Sequence, residues 1–460
     1  MTAQFLPRFC ALAAVLSLAI APAAGAAATP PARPTAFKFQ FGAERAAPGY
    51  TLVSPAAMYS KDEGYGFEPG ATLTQDTGDA LRRGAVTSAQ PFLFSVAVPE
   101  GNYRVTLTLG DPKADAITTV KAETRRLVLE RVRTLSGQFE THTFTVNIRG
   151  PKLSTGGEVD LDSREMNLAT REPIARHWDE KLTLAFSDAH PALAAIEIQK
   201  VEDVVTVFVL GDSTVTDQGG WPGSSWGQMA TRWFKQGVAI ANHAESGETL
   251  RGFLKERRWE KVLDSIKPGD YVLIEFGTND SKESGPQSIY PNQTFAETFA
   301  PAETTYKELL RRFVADARKR GALPIIASPS ARRDEVTKPT SLGAYAVAAM
   351  AVAQEVGVPG IDLNSMGVEL NIALGADGGK QFGDRTHHVE YGSYLQAKCI
   401  VLGLKRANSP LAKFIVDDFG DFDPKHPEPT PASFDLPPDP NSGRGGRGAR
   451  PGAPGEPRTP

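Results

Sequence analysis

The hydrophobic pattern changes near Val204, and no other feature of the sequence constrains the fold as strongly. Between residues 37 and 201, apolar and polar residues alternate in short segments such as Tyr103–Leu109, and Gly, Asp, Asn and Pro separate these segments. Alternation with a period of two predicts β-strands with one buried and one solvated face. We therefore predict an all-β sandwich over residues 37–201.

Downstream of Val204 the apolar segments are continuous and alternate with segments of helical pattern. Strands that are apolar on both faces and joined by helices predict a parallel sheet covered on both sides, with right-handed crossovers. Residues 202–407 are thus predicted to form a second, α/β domain. The predicted strands are Val204–Leu210, Val238–Asn242, Tyr271–Phe276, Pro324–Ala327 and Val358–Asp362, and the predicted helices are Trp226–Phe234, Glu303–Lys319 and Ala344–Glu355.

The N-terminal residues have the pattern of an export signal. Arg8 precedes an apolar run, Phe9–Ala21, and the small residues Ala24–Ala26 follow. This pattern predicts a secretory signal peptide over residues 1–26 and export to the periplasm or the medium. The apolar run is too short to span a bilayer, so we expect no membrane insertion after its removal.

The C-terminal region has the composition of a chain that does not fold. Of the 37 residues from Pro424 to Pro460, 11 are proline, and glycine and arginine supply much of the remainder. Such a segment buries too little apolar surface to offset the entropy of ordering the chain. We predict a disordered tail over residues 408–460, and a linker over residues 27–36.

The first candidate for chemistry comes directly after the first α/β strand, in the tripeptide Gly211, Asp212 and Ser213. Open α/β sheets place their sites at the carboxyl ends of the strands, and glycine permits a tight turn there. Ser213 is therefore a candidate nucleophile, and a serine that merely caps a helix is the alternative. Ser213 does not lie in a G-x-S-x-G nucleophile elbow, which disfavours an α/β-hydrolase.

A nucleophilic serine needs a base and an acid that orients the base. Asp384 and His387 lie three residues apart, so the carboxylate can reach the imidazole within one turn of chain. A surface turn or a pair of metal ligands is the alternative, but no third ligand has a spacing familiar from zinc sites. We expect no catalytic metal and no cofactor. His388 is the rival base, but an adjacent side chain points elsewhere, and we favour His387.

Two further residues could stabilise an oxyanion. Gly247 follows the second strand and could aim its backbone N–H into the site, and Asn279 follows the third strand and could supply a side-chain amide. Ordinary turn chemistry is the alternative for each residue. All the candidates follow the ends of predicted elements, and the strands bring their carboxyl ends to one edge of the sheet. Their joint occurrence therefore favours an active site over separate turns.

These residues lie in motifs that resemble a known superfamily. Four motifs follow one another in the order of blocks I, II, III and V of the SGNH (GDSL-type) hydrolases: Gly211–Thr214, Asn242–Gly247, Gly277–Asp280 and Asp384–His387. The segment Asp212–Asp280, which includes Trp226-Gly-Gln, resembles the rhamnogalacturonan acetylesterase branch. The resemblance extends from about Val204 to Arg406.

The resemblance implies a flavodoxin-like three-layer α/β/α sandwich with a five-stranded parallel sheet. It also implies a serine hydrolase in which Ser213 is the nucleophile, His387 is the base and Asp384 orients that base. The oxyanion hole of the family corresponds here to the Ser213 N–H, the Gly247 N–H and the Asn279 amide.

Two positions depart from the pattern of the rhamnogalacturonan acetylesterase branch. Thr278 stands where that branch usually has His, and Glu248 stands where it usually has Arg. Together with Trp226, these residues are predicted to bind substrate. The two departures therefore bear on which glycan fits the site.

The front domain resembles the galactose-binding-like β-sandwich that precedes some of these esterases. The likeness depends on Phe39–Gly42, Gly64–Phe67 and Trp178–Leu182. Tyr65 and Trp178 could stack on sugar rings, but core or interface positions are favoured for both.

The expected function is that of a secreted serine acetylesterase, a carboxylic ester hydrolase that acts on a plant cell-wall polysaccharide. Rhamnogalacturonan, a pectin, is the favoured substrate. An esterase for acetylxylan, another glycan or a small ester, or a lipase-type hydrolase, is the alternative, and a non-catalytic carbohydrate-binding protein is the second alternative. The expected partner is an acetylated polysaccharide or oligosaccharide, and the formal net charge of -4 gives no reason to expect nucleic acid.

Overall fold

The structure is a computed structural model that describes residues 1–2, 34–77, 84–220, 223–283, 294–337, 340, 342–429 and 434. Nearly all of the predicted signal peptide (1–26), most of the predicted linker and residues 435–460 of the predicted tail lie outside the described residues. From Pro34 onward the chain forms one compact unit that contains both predicted domains. Within the described ranges, none of the helices has the length and apolar composition needed to cross a membrane.

Two mainly antiparallel sheets form the front domain. Its strands are β1 (Ala36–Phe41), β2 (Thr51–Val53), β3 (Tyr65–Phe67), β4 (Thr74–Asp76), β5 (Ala85–Thr87), β6 (Phe92–Ala97), β7 (Gly101–Leu109), β8 (Ala116–Ala122), β9 (Arg126–Thr134), β10 (Glu140–Ile148), β11 (Met166–Asn167), β12 (Glu172–Pro173), β13 (Lys181–Ser187) and β14 (Ala192–Val201). In the described residues one sheet has the order β10-β7-β14-β1-β2, with β5 and β4 joined to β14, and the other has the order β3-β6-β13-β8-β9. The predicted all-β sandwich is confirmed.

The alternation that predicted these strands is also the pattern of their burial. In β7, Val105 and Leu107 are buried between the sheets, whereas Thr106 between them lies on the outer face and is partly exposed. Aromatic rings from opposite sheets meet in the core, where Phe41 of β1 and Phe94 of β6 pack edge to face with centroids 5.3 Å apart. The side chains of one face of each sheet thus form the core.

A parallel sheet forms the centre of the second domain. Its strands are β15 (Val205–Gly211), β17 (Val238–Asn242), β18 (Tyr271–Glu275), β19 (Leu323–Ala327) and β20 (Gly360–Ile361), and a separate short pair consists of β16 (Gly223–Ser224) and β21 (His388–Val389). The described strands of the parallel sheet have the order β17-β15-β18-β19-β20. In chain order this is 2-1-3-4-5, the flavodoxin-like arrangement. The predicted α/β fold is confirmed, although the fifth strand is shorter than the predicted Val358–Asp362.

Helices cover both faces of this sheet. The α-helices are α1 (Trp226–Ala230), α2 (Leu250–Lys255), α3 (Arg258–Ser265), α4 (Phe295–Thr298), α5 (Lys307–Lys319), α6 (Leu342–Val356), α7 (Leu363–Leu374) and α8 (Glu390–Arg406). Short 3-10 segments occur at Arg176–Trp178, Thr231–Trp233, Arg333–Val336, Gly375–Gln381, Pro410–Phe414 and Asp417–Phe419, and a π-helical turn, Ala302–Tyr306, precedes α5. Successive residues of β15 contribute to different cores: Val207 and Val209 pack on the α1 and α8 side, and Phe208 and Leu210 on the opposite side. Burial on both faces explains the continuous apolar strands.

The segment after α8 corrects one prediction. Residues 408–429, predicted to belong to a disordered tail, continue over the α/β domain, and Leu411, Ile415, Phe419 and Phe422 are buried in its core. The prediction of disorder is wrong for this part of the chain. The proline-rich composition that motivated it begins only at Pro424, and the preceding residues supply enough apolar surface to fold.

Buried ion pairs join the two domains. Lys121 and Arg125 of the front domain contact the same carboxylate oxygen of Glu390 at 3.0 and 2.7 Å, and Arg126 pairs with Asp217 at 2.6 Å. Each of these side chains is at most 3% exposed. Buried charges of this kind are tolerated when they are paired and hydrogen-bonded. The front domain therefore lies against the segment after β15 and the first turn of α8.

Candidate active site

The candidate residues meet at the carboxyl edge of the parallel sheet. Ser213 follows β15, Gly247 follows β17 and Asn279 follows β18, so three neighbouring strands place them at one edge. Asp384 and His387 lie in the loop before β21 and α8. Parallel strands end at the same edge, and residues that are far apart in the sequence therefore converge there.

Ser213, His387 and Asp384 form a continuous hydrogen-bonded chain. His387 Nε2 lies 2.8 Å from Ser213 Oγ, and His387 Nδ1 lies 2.7 Å from Asp384 Oδ2. Asp384 Oδ1 accepts hydrogen bonds from the backbone N–H groups of Thr386 and His387 at 2.7 and 2.8 Å.

The environment of Asp384 fixes the state of the imidazole. Partial burial raises the pKa of Asp384, but the hydrogen bonds from the His387 ring and from two backbone N–H groups outweigh burial and hold this pKa well below its ordinary value. An ionised carboxylate thus faces His387 Nδ1. It favours the tautomer with a proton on Nδ1, which leaves Nε2 able to accept the proton of Ser213.

The neighbouring His388 has a different environment. Its ring packs on Phe382 with centroids 4.2 Å apart, and its backbone pairs with Ser224 in the short β16-β21 ladder. Burial lowers the pKa of His388 to about 3. The side chain of His387, in contrast, is 41% exposed, and its ring is the one that reaches Ser213.

The two loops with the predicted oxyanion donors are tied to each other. Gly247 has φ = +88°, a conformation that favours glycine. The Asn279 side-chain amide donates to the backbone carbonyl of Glu248 at 3.0 Å, and Lys282 Nζ donates to Asn279 Oδ1 at 2.6 Å. Because an ammonium group can only donate, it determines which end of the amide is the oxygen. The NH2 end then faces Glu248 and has a second N–H for a ligand.

Comparison with known proteins places this geometry in a family. Residues 209–388 match the model of the GDSL-like Lipase/Acylhydrolase family, and residues 37–160 match a model described as Beta-agarase/YXIM esterase-like, galactose-binding domain-like. The chain is 31% identical over 237 residues to the rhamnogalacturonan acetylesterase RhgT of Bacillus subtilis, which covers 47% of this chain and 96% of that relative. The chain belongs to the GDSL-like lipase/acylhydrolase family.

Another relative spans both domains of this GDSL-type esterase. The uncharacterized esterase YxiM of Bacillus subtilis is 28% identical over 407 residues, 82% of this chain and 92% of that relative. A crystal structure of the YXIM protein from the same organism covers 82% of this chain and 99% of that chain, with 25% identity and a TM-score of 0.40. The predicted relationship to SGNH hydrolases and rhamnogalacturonan acetylesterases is confirmed, and so is the galactose-binding-like front domain.

Two buried carboxyl groups share a hydroxyl behind Ser213 in the esterase. Thr214 Oγ1 lies 3.0 Å from Asp212 Oδ1 and 3.1 Å from Glu275 Oε2. Burial raises the pKa of Asp212, and burial together with the nearby charge of Asp212 raises the pKa of Glu275 well above its ordinary value. A carboxyl proton can therefore complete the second hydrogen bond to Thr214. These hydrogen bonds hold the turn that carries Ser213.

The three residues predicted to bind substrate are buried. Trp226 is 2% exposed and packs in the core on the α1 and α8 side of the sheet. The Glu248 carboxylate lies 4.0 Å from Arg258 Nε, inside the protein. The Thr278 side chain is buried too, and its backbone carbonyl accepts a hydrogen bond from Arg332 at 3.3 Å. Their burial gives no support to the predicted substrate contacts of Trp226, Glu248 and Thr278, which stay a prediction, because a motif identifies a position but not the direction of its side chain.

Two polar residues near Ser213 were not predicted to contribute to the site. Gln218 Nε2 donates to the backbone carbonyl of Ser213 at 2.6 Å and lies 3.4 Å from Ser246 Oγ, so it links the turn at Ser213 to the Gly247 loop. Lys282 holds Asn279, as described above. Lys282 follows Asn279 by three residues, a spacing that could have indicated a turn contact, whereas Gln218 carries no comparable signal in the sequence.

One buried group has ligand types that suit a metal ion. Glu165, His177 and Glu245 each place one possible ligand atom within 4.8 Å of the others. Glu165, however, already accepts hydrogen bonds from Arg258 Nη1 at 3.1 Å and from Trp178 Nε1 at 2.8 Å. The guanidinium supplies the positive charge that a metal ion would bring. Glu165 therefore belongs to an ion pair between the domains, and the group does not fit a metal site.

Proposed function

We propose that this protein is a serine esterase that removes O-acetyl groups from an acetylated polysaccharide or oligosaccharide, with rhamnogalacturonan as the substrate. The observation that carries the proposal is the hydrogen-bonded chain from Asp384 through His387 to Ser213. The substrate is supported by the 31% identical relative, which is named as a rhamnogalacturonan acetylesterase.

In the first half of the proposed reaction, His387 Nε2 takes the proton of Ser213 Oγ as the oxygen attacks the acetyl carbonyl. The carbonyl oxygen becomes an oxyanion, which the N–H groups of Ser213 and Gly247 and the Asn279 amide stabilise. Asp384 stabilises the imidazolium that forms. His387 then gives the proton to the sugar oxygen, and the deacetylated glycan leaves.

In the second half, a water molecule enters the space left by the glycan. His387 Nε2 takes a proton from this water, and the resulting hydroxide attacks the acetyl group on Ser213 Oγ. The same three donors stabilise the second oxyanion. Acetate leaves when Ser213 Oγ recovers its proton from His387.

The catalytic proposal is tested with p-nitrophenyl acetate. Ser213→Ala should lower kcat by about 10⁴-fold or more, because no other group supplies the nucleophile. Ser136→Ala, which changes an exposed serine of the front domain, is the matched control and should turn over like the wild type. Equal turnover by Ser213→Ala and the wild type would remove the basis of the proposal.

The substrate is tested by acetate release from acetylated rhamnogalacturonan, acetylxylan and a further acetylated glycan, with a long-chain ester in parallel. We expect the highest kcat/KM with rhamnogalacturonan, and no release from any of them by Ser213→Ala. A higher kcat/KM with acetylxylan, or with the long-chain ester, would change the substrate and leave the serine mechanism in place.

We also propose that the enzyme acts outside the cytoplasm, where cell-wall polysaccharides are accessible. The support is the N-terminal pattern of Arg8, Phe9–Ala21 and Ala24–Ala26. Fractionation of cells that express the full chain should recover esterase activity from the periplasm or the medium. Activity confined to the cytoplasm would contradict this part of the proposal.

A further inference from the structure

The loop that carries Gly247 is held by a side chain of the front domain. Arg164 Nη2 donates to the backbone carbonyl of Ser246 at 3.0 Å and lies 3.4 Å from Glu245 Oε1. Asp162 holds the guanidinium in turn, because Arg164 Nε donates to Asp162 Oδ2 at 2.7 Å. A residue of the first domain thus contacts the loop after β17, at the edge of the sheet where Ser213 lies.

The Ser246 carbonyl and the Gly247 N–H belong to the same peptide group. In a trans peptide these two bonds point in opposite directions, so a donor that holds the oxygen also sets the direction of the N–H. Gly247 has φ = +88° and no Cβ, and its backbone can therefore take other conformations at low cost when nothing holds it. An N–H that stabilises an oxyanion has to be aimed before the charge develops.

We propose that Arg164 is a positioning residue of the esterase, which aims the Gly247 N–H at the oxyanion by holding the Ser246 carbonyl. The inference depends on the proposed serine esterase function. It gives the front domain a part in catalysis that does not require the domain to touch the substrate. Because the oxyanion exists only in the transition state and the tetrahedral intermediate, Arg164 acts on kcat and not on ground-state binding.

Other contacts hold the loop on either side of this peptide group, and the Glu248 N–H donates to the Glu245 carbonyl at 3.2 Å and closes the turn that contains it. Gln218 lies against the Ser246 side chain, and Asn279 holds the Glu248 carbonyl on the far side of Gly247. Neither contact is made to the peptide group between Ser246 and Gly247. The hydrogen bond from Arg164 therefore bears on the direction of the Gly247 N–H in a way that these two contacts do not.

The test is the kinetics of Arg164→Met, which keeps an unbranched apolar side chain and removes the guanidinium donors. Arg171→Met is the matched control, because Arg171 belongs to the same domain and pairs with Glu158 at the exposed surface. With p-nitrophenyl acetate, kcat of Arg164→Met should fall by about 10- to 100-fold, while KM stays within about twofold of the wild type. Arg171→Met should match the wild type in both constants.

Two further readouts separate positioning from a purely structural role. The pH midpoint of kcat should not move in Arg164→Met, because the contact between Asp384 and His387 is unchanged. Arg164→Lys keeps a cation with N–H donors and should recover part of kcat. If circular dichroism shows that Arg164→Met is not folded, kcat and KM are measured for Arg164→Lys and Arg164→Gln. A loss in kcat with KM unchanged is again the expected result.

The inference is overturned if the folded Arg164 variants retain the kcat of the wild type, if the loss lies in KM, or if Arg171→Met loses kcat equally. The proposed function fails in a different way, through a wild type that hydrolyses no ester or through an active Ser213→Ala. Wild-type kcat in Arg164→Met beside an inactive Ser213→Ala would contradict the positioning role alone.

Discussion

The carboxyl edge of the parallel sheet and the boundary between the domains are both rich in charged side chains, but the charges serve different purposes. At the sheet edge, the side chains of His387 and Asp384 are 41% and 57% exposed, and their hydrogen bonds run in one line to Ser213. At the boundary, Lys121 and Glu390 are 2% and 3% exposed and neutralise each other.

The difference shows that residue type does not identify a functional site by itself. His177 at the boundary lies 4.0 Å from Glu165 and 3.9 Å from Asp217, which resembles the surroundings of a catalytic base. Burial nevertheless lowers the pKa of His177 to about 3, so the ring stays neutral and out of contact with solvent. Access to a ligand, and not the presence of a carboxylate, distinguishes His387 from His177.

The sharpest test of this comparison uses the two adjacent histidines. His387→Ala should lower kcat by about 10⁴-fold or more, because it removes the proposed base for Ser213. His388→Ala should leave kcat within about tenfold and mainly lower the free energy of unfolding, since it empties a packed position beside Phe382. Initial rates with p-nitrophenyl acetate and urea unfolding decide this. Activity retained by His387→Ala would make His388 the base.

The next largest effect concerns Asn279 and the lysine that holds it. Asn279→Ala should lower kcat by about 10²- to 10³-fold, because it removes one of the proposed oxyanion donors. Lys282→Met should cost less, about tenfold, because the amide keeps its N–H groups but loses the contact that sets its direction. Steady-state kinetics should place the losses in kcat. A Lys282→Met enzyme as fast as the wild type would show that the amide needs no such contact.

At the domain boundary the expected effect is on stability. Lys121→Met breaks a buried ion pair with Glu390 and should lower the free energy of unfolding by about 3 kcal/mol, the low end for such a change, because Arg125 still contacts Glu390. Lys61→Met breaks an exposed pair with Glu172 and should change the free energy of unfolding much less, because solvent screens an exposed pair. Urea unfolding measures both. Equal costs for the two variants would remove the distinction between buried and exposed pairs.

The last effect is a dependence of stability on pH, and it arises at Glu123 of the front domain. Burial, together with the nearby charge of Asp179, raises the pKa of Glu123 to about 8. Since the folded state then binds a proton that the unfolded state releases, stability should fall as the pH rises from about 5 to about 8.

Glu123→Gln tests this dependence, because the amide oxygen can still accept the hydrogen bond from the Thr183 N–H. The variant should lose stability less steeply over the same range, by at most about 1.4 kcal/mol per pH unit relative to the wild type. Parallel slopes of the two proteins in urea unfolding between pH 5 and pH 8 would contradict the raised pKa.

The parts of the structure that follow from local pattern could be predicted from the sequence. The strand Val238–Asn242 has the predicted bounds, because a continuous apolar segment between turn residues leaves little choice. The convergence of Ser213, Gly247 and Asn279 follows from the common edge of parallel strands. These inferences need only the order of elements and the direction of the strands.

The remainder depends on tertiary contacts that the sequence does not display. Glu248 was expected at the substrate, but its side chain turns inward to Arg258. The segment 408–429 was expected to be disordered, but its apolar side chains pack against the core of the α/β domain. The contact from Arg164 to Ser246 joins residues 82 positions apart in different domains, and neither residue lies in a motif that would suggest it.

The ion pairs between the domains have a consequence for protein engineering. In the pairs of Lys121 and Arg125 with Glu390, and of Arg126 with Asp217, the front domain supplies the cations and the hydrolase domain supplies the anions. An excised hydrolase domain would keep these carboxylates without their counter-ions, and a foreign N-terminal domain would not replace them. We therefore expect that the α/β domain cannot be joined to another N-terminal domain without loss of these contacts. A chimera has to contain both residues of each ion pair.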